Sequence, residues 1–171
     1  MDAWQKTLAA GLTDPAAIAA RFGLDSAGTS AVAARYPVRL TPQLLALIER
    51  ADDPLGRQFL PDPRELTADG LPDDPLAEGR LAPLPAIVHR YPSRVLLLAG
   101  NSCAAYCRFC TRKRRVGCVA FNLPFNEVLK AVDYIAAHPE ITEVIISGGD
   151  PLLLTDDVLT ELLERLRRIA H

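Results

Sequence analysis

Residues 95–118, VLLLAGNSCAAYCRFCTRKRRVGC, constrain this chain more than any other stretch. An apolar run from Val95 to Ala99 ends in a short polar turn. Cys103, Cys107 and Cys110 follow at fixed spacing, and then a basic tail. The run reads as a buried strand with the cysteines at its C-terminal end. In α/β folds the loops converge over that end of the sheet, and ligands collect there. With 171 residues, 49% of them hydrophobic, the chain has enough apolar surface for a packed core.

The pattern after the cysteines is α/β. From Asn126 to His138, Val128, Val132 and Ile135 fall on one helical face, and Pro139 ends the helix. Glu143–Ser147 reads as a short buried strand, with Gly148-Gly149-Asp150-Pro151 as a sharp turn at its C-terminal end. Thr155 caps a second helix whose first turn holds Asp156 and Asp157, where the helix dipole favours negative charge. Val158, Leu162, Leu166 and Ile169 form its apolar stripe. Strand, helix, strand, helix predicts parallel pairing with right-handed crossovers. Two strands cannot bury themselves, and the sequence stops at Ala170-His171 where a third is due. The expectation is a truncated chain, the front part of a larger barrel, with residues 95–171 as its first βα units.

Residues 1–60 are expected to be helical. Trp4, Leu8 and Leu12 recur every four residues. Asp14-Pro15 starts a helix that buries Ile18 and Phe22 and stops at Gly23. Tyr36, preceding Pro37, must be extended. Thr41-Pro42 opens another helix, with Leu44, Leu45 and Ile48 on its buried face. Ten of the 14 prolines lie between Pro37 and Pro92. Residues 51–92 show little periodicity, and 61–94 read as a proline-rich extended arm laid over a surface. At its end His89, Arg90, Tyr91 and Arg94 crowd beside the first strand, which on composition alone is a solvated turn.

Three cysteines within eight residues do not resemble a secreted disulfide framework, whereas reduced thiols holding a metal fit. Thiolates are the preferred ligands of iron–sulfur clusters. Three of them bind three irons of a cubane and leave the fourth open, as a catalytic site requires. The spacing differs from the ferredoxin run and from paired zinc knuckles, although zinc stays open on spacing alone. Cys118, beyond a glycine and four basic residues, reads as a small apolar filler. A formal charge of −2 argues against a general nucleic-acid binder. With no membrane-length apolar run and no signal-peptide pattern at the N-terminus, the cytoplasm is the expected location.

Cys-x3-Cys-x2-Cys, with Tyr106 and Phe109 just before the second and third cysteines, resembles the radical S-adenosylmethionine (SAM) superfamily. The resemblance implies a radical SAM β/α barrel and a [4Fe–4S] cluster on Cys103, Cys107 and Cys110. The open iron chelates SAM, and one electron cleaves it to an adenosyl radical. Ser147-Gly148-Gly149-Asp150 stands where that superfamily brings a glycine-rich turn to the cofactor's amino group. Four motifs in order narrow the likeness to the lysine 2,3-aminomutase family. They are Asp74-Pro75-Leu76, His89-Arg90-Tyr91-Pro92-x-Arg94, Cys107-Arg108-x-Cys110-Thr111-Arg112 and Ser147-Gly148-Gly149-Asp150.

That family moves an amino group between C2 and C3 of lysine or a related amino acid, with pyridoxal 5′-phosphate (PLP) holding the migrating group. By resemblance Arg90, Tyr91 and Arg94 contact the PLP phosphate, since an arginine fork suits phosphate oxygens. Arg112 pairs with the substrate carboxylate. Lys113, Arg114 and Arg115 have no matched role and read as a solvated or phosphate-facing loop. The implied partners are a small amino-acid substrate and an external electron donor, with a homo-oligomer open for the full-length form. The family's PLP-binding lysine lies in a later glycine-rich segment. The lysines here are Lys6, Lys113 and Lys130, none in such a segment, so these residues alone are expected to be inactive. Two other readings are an aminomutase acting on a lysine linked to a translation factor, and a small iron–sulfur electron-transfer module.

Overall fold

A computed structural model describes residues 3–67 and 70–171. The chain divides into two compact units. The first comprises the described residues up to Asp73 together with Ala104–Cys118, and the second comprises Asp74–Cys103 and Val119–His171. Residues 95–118, a single motif in sequence, are therefore shared between the two.

The first unit is helical. Helix α1 spans Ala3–Ala9 and buries none of its residues. Leu12, expected on its face, lies beyond its end and exchanges two backbone hydrogen bonds with Leu40, at 2.8 and 3.0 Å. Helix α2, Pro15–Phe22, starts as expected. The Asp14 carboxylate accepts from the Ala16 N–H at 3.0 Å, and Gly23 closes the helix at φ 65°, a conformation that favours glycine. Helix α3, Ser26–Arg35, is capped by Asp25 and lies within the stretch expected to be helical, although its Ala/Ser/Gly-rich sequence carries little amphipathic signal to mark it individually. Tyr36 after it is extended, as a residue before proline should be.

Helix α4, Pro42–Leu47, is capped by Thr41. It ends sooner than expected, so the buried Ile48 belongs to the extended segment that follows. In the proline-rich stretch, Asp53 caps helix α5, Pro54–Phe59, and Asp62 and Glu65 form a capping box on a 3-10 turn, Pro63–Leu66. Here the prolines begin helical turns, because their fixed φ suits the first position. Ile18, Val38, Leu40, Ile48 and Leu60 form the core of this unit.

The second unit is built on three strands in the order β1-β2-β3. Strand β1, Ile87–Tyr91, was not foreseen as a strand, since the flanking prolines mask it. It pairs antiparallel with β2, Arg94–Leu98. Helix α6, Phe125–Ala136, leads to β3, Glu143–Ser147, which pairs parallel with β2, as the sequence predicts. Helix α7, Asp156–Arg167, follows. Val95 and Leu97 stand in register with Val144 and Ile146, and this face packs on α6 and α7 through Val128, Ala131, Val132, Ile135 and Leu162. The opposite face of β3 is open, and Ile145 is 42% exposed. β3 is therefore less buried than its apolar sequence implied, because the helices cover one face only. The result is a mixed α/β unit with a three-stranded sheet.

Candidate functional site

The expected cofactor turn lies at the C-terminal ends of β2 and β3. The Ala99 N–H donates to the Ser147 carbonyl at 2.8 Å, Gly149 N–H to Gly100 O at 2.8 Å and Asp150 N–H to Ser102 O at 2.7 Å. Two strand-end loops are thus zipped together. Gly148 has φ 125°, and a Cβ there would collide with the Gly100 carbonyl. A Cβ on Gly149 would collide with the Ser102 backbone. Both glycines are required by this packing, which is a reason the sequence did not disclose. The Asp150 carboxylate accepts from the Leu152 N–H at 3.0 Å and opens the next turn. Beside these loops lies an open cavity of about 630 Å³, lined by Gly100, Asn101, Ser102, Asn122, Leu123 and Asp150, among others. Its volume is in the range of small-molecule sites.

The cysteine loop after Cys103 is built onto the helical unit. The Tyr106 N–H donates to Arg39 O at 3.1 Å, and the Arg108 N–H to Gln58 O at 2.7 Å. Tyr106 is buried, with the Arg39 guanidinium 5.5 Å from its ring centre. Its ring fills the space where a Cβ on Gly117 would stand. Arg108 is buried too, and its guanidinium forks onto the Glu65 carboxylate at 2.9 and 2.8 Å. Lys113 Nζ reaches the same carboxylate at 2.9 Å and lies 4.3 Å from the Tyr36 ring centre. Burial acts to raise the pKa of Glu65, but hydrogen bonds and charge from Arg108, reinforced by Lys113, outweigh it and hold the carboxyl below its ordinary value.

Cys103, Cys107, Cys110 and Cys118 are half-buried thiols outside any disulfide. Burial pushes the Cys107 thiol up, and the neighbouring Cys110 sulfur adds to it. Cys110 Sγ accepts from the Arg112 N–H at 3.4 Å, the kind of bond that stabilises a thiolate ligand. Among the described residues no three His, Cys, Asp or Glu side chains are gathered as a ready metal site. The donor chemistry of the cysteine thiols nevertheless suits an iron–sulfur cluster.

Arg90, Tyr91 and Arg94 lie on the β1–β2 hairpin. Arg90 donates to the Leu76 carbonyl, Tyr91 is exposed, and Arg94 pairs with Glu143 at 2.5 Å. Arg94 and Ser147 stand at opposite ends of the β2–β3 pair, roughly 13 Å apart along four strand steps. The two arginines share one hairpin but hold different partners, and Arg94 lies at the far end of the β2–β3 pair from the glycine turn. His89 anchors the hairpin. Its Nε2 lies 3.2 Å from the Pro92 carbonyl and its Nδ1 2.8 Å from the Tyr134 hydroxyl. A carbonyl can only accept, so in the neutral ring Nε2 carries the proton and Nδ1 accepts from Tyr134. The Arg90 and Arg94 guanidinium groups are donors of the kind that a phosphate accepts. Of the lysines, Lys113 is committed to Glu65, and Lys130 to Glu127 at 2.6 Å.

Sequence reasoning missed Glu65, and with it the role of Arg108. The capping pattern Asp62-x-x-Glu65 was legible, but nothing local marks Glu65 as the partner of a residue so distant in sequence.

The Radical SAM superfamily profile matches residues 97–171. The chain is 42% identical over 135 residues to L-lysine 2,3-aminomutase of Clostridium subterminale, covering 77% of this chain and 32% of that protein. It is 36% identical over 181 aligned positions to L-lysine 2,3-aminomutase of Escherichia coli K12, covering 98% of this chain and 51% of that protein. To glutamate 2,3-aminomutase of Clostridioides difficile it is 34% identical, over 82% of this chain and 34% of that protein. The chain thus spans about a third to a half of the length of these curated relatives.

Proposed function

Given that this chain belongs to the lysine 2,3-aminomutase family of the radical SAM superfamily, we propose that it forms the radical-generating part of an amino-acid 2,3-aminomutase. The substrate class is lysine or a related α-amino acid, a range supported by a glutamate enzyme among the relatives. When bound, the [4Fe–4S] cluster and SAM supply the radical, and PLP holds the migrating amino group. Cys103, Cys107 and Cys110 would hold three irons and leave one for SAM. The turn Ser147, Gly148, Gly149 and Asp150, beside the cavity at the strand ends, would receive SAM through backbone groups. Arg112 would hold the substrate carboxylate. Arg90, Tyr91 and Arg94 would hold the PLP phosphate, with Arg94 exchanging its bond to Glu143 for one to the anion.

The observation that carries this reading is the zipped pair of strand-end loops, Gly100–Ser102 and Ser147–Asp150, beside an open cavity. The test is anaerobic reconstitution followed by titration with SAM. A paramagnetic signal of the reduced cluster that shifts on adding SAM supports the reading. A cluster whose signal ignores SAM overturns it and points to electron transfer alone.

A further inference from the structure

The cysteine loop is held by a residue outside it. Glu65 sits on the Pro63–Leu66 turn, where its Oε1 accepts from the Asp62 N–H at 3.1 Å. The same carboxylate takes the Arg108 fork and the Lys113 ammonium. Arg108 follows Cys107 directly, and Lys113 follows Arg112. The two cations therefore tie both ends of Arg108–Lys113, which contains Cys110 and Arg112 and adjoins Cys107, to one carboxylate. The Glu65 and Arg108 side chains are 11% and 6% exposed. Arg108 Nη1 also donates to the Pro37 carbonyl at 3.0 Å, so the guanidinium is fixed on two sides. By contrast, Arg64 on the same turn pairs with Asp62 while its side chain is 87% exposed.

An ion pair this buried carries a desolvation cost that simple stability does not require. The contacts on two sides fix the orientation of the Arg108 guanidinium. We propose that Glu65 is a positioning residue for the cluster loop, holding Arg108 and Lys113 so that the Cys107 and Cys110 thiols and Arg112 stay in place. This rests on reading the cysteines as cluster ligands. Glu65 touches no sulfur and acts through the two cations.

The test uses the cluster-free chain, alkylated with iodoacetamide and resolved cysteine by cysteine through tandem mass spectrometry. Glu65→Gln is expected to raise the rates at Cys107 and Cys110 at least about fivefold, leaving Cys103 within about twofold, because only the tethered segment opens. Arg108→Lys keeps the charge but loses the fork, and is expected to behave like Glu65→Gln. Arg64→Ala should change no rate. On anaerobic reconstitution, iron content should fall in the variants whose thiol rates rise. Unchanged rates at Cys107 and Cys110 in Glu65→Gln would overturn the proposal. If Glu65→Gln unfolds, so that Cys103 accelerates equally, Lys113→Gln decides, because it leaves the Glu65–Arg108 pair intact. A rise confined to Cys107 and Cys110 then upholds the anchor, and no rise or a uniform one refutes it. Failure of the wild-type chain to assemble a cluster would count against the cluster reading, while the thiol rates would still judge the anchor.

Discussion

At the residue scale, close approach of backbone to backbone governs Gly149. A methyl group there meets the Ser102 main chain, which belongs to a strand-end loop and cannot rotate away. Gly149→Ala should therefore cost about 1–3 kcal/mol, the range of overpacking, read as a lower urea midpoint at unchanged slope. It should also weaken the SAM-induced change in the cluster signal, because the two loops can no longer zip. The depressed pKa of Glu65 carries a pH dependence whose sign is definite. The unfolded carboxyl titrates near 4.5, and the folded one below that. Its contribution to stability is thus complete above the unfolded value and disappears as pH falls through the folded one. Urea midpoints measured from pH 6 down to pH 3 should fall for the wild type and fall less steeply for Glu65→Gln.

At the scale of elements, short helices owe much of their definition to their first residue. Asp14, Asp25, Thr41 and Asp53 each accept a backbone N–H at a helix start, and proline follows three of them. Thr41→Ala removes the bond from the Leu44 N–H at 3.2 Å and should cost about 1 kcal/mol in chemical denaturation. In the sheet, the two faces of the β2–β3 pair differ. Leu97 is fully buried against α6 and α7, so Leu97→Ala should cost about 2–5 kcal/mol. Ile145, on the open face, should tolerate Thr with a loss of less than about 1 kcal/mol, since its side chain keeps contact with water already. The caps at Asp14 and Thr41, α6, α7 and the parallel pairing were all legible from periodicity and capping residues. α3, α5 and β1 were not individually marked. A weak apolar stripe hid the first, and proline concealed the other two by acting as a helix starter and a strand flank.

For the whole molecule, the chain leaves the sheet unit after Cys103 and returns to it after Cys118. The intervening segment is built onto the helical unit. No helix among the described residues is long and apolar enough to cross a membrane. In the proposed function, cluster assembly and the SAM response belong to these residues, and no turnover is expected from them alone, since Lys113 and Lys130 are held in ion pairs. Anaerobic assay of this chain with SAM, PLP and lysine should show the SAM-dependent signal and no β-lysine. The sequence by itself determined the cysteine spacing, the glycine turn, the βα order and the family, because each is written in neighbouring residues or in short motifs. Only the tertiary structure decided why Gly148 and Gly149 must be glycines, which face of β3 is covered, and that Glu65 grips Arg108. Those depend on atoms far apart in the chain, and a contact of that kind leaves no periodicity or spacing to read.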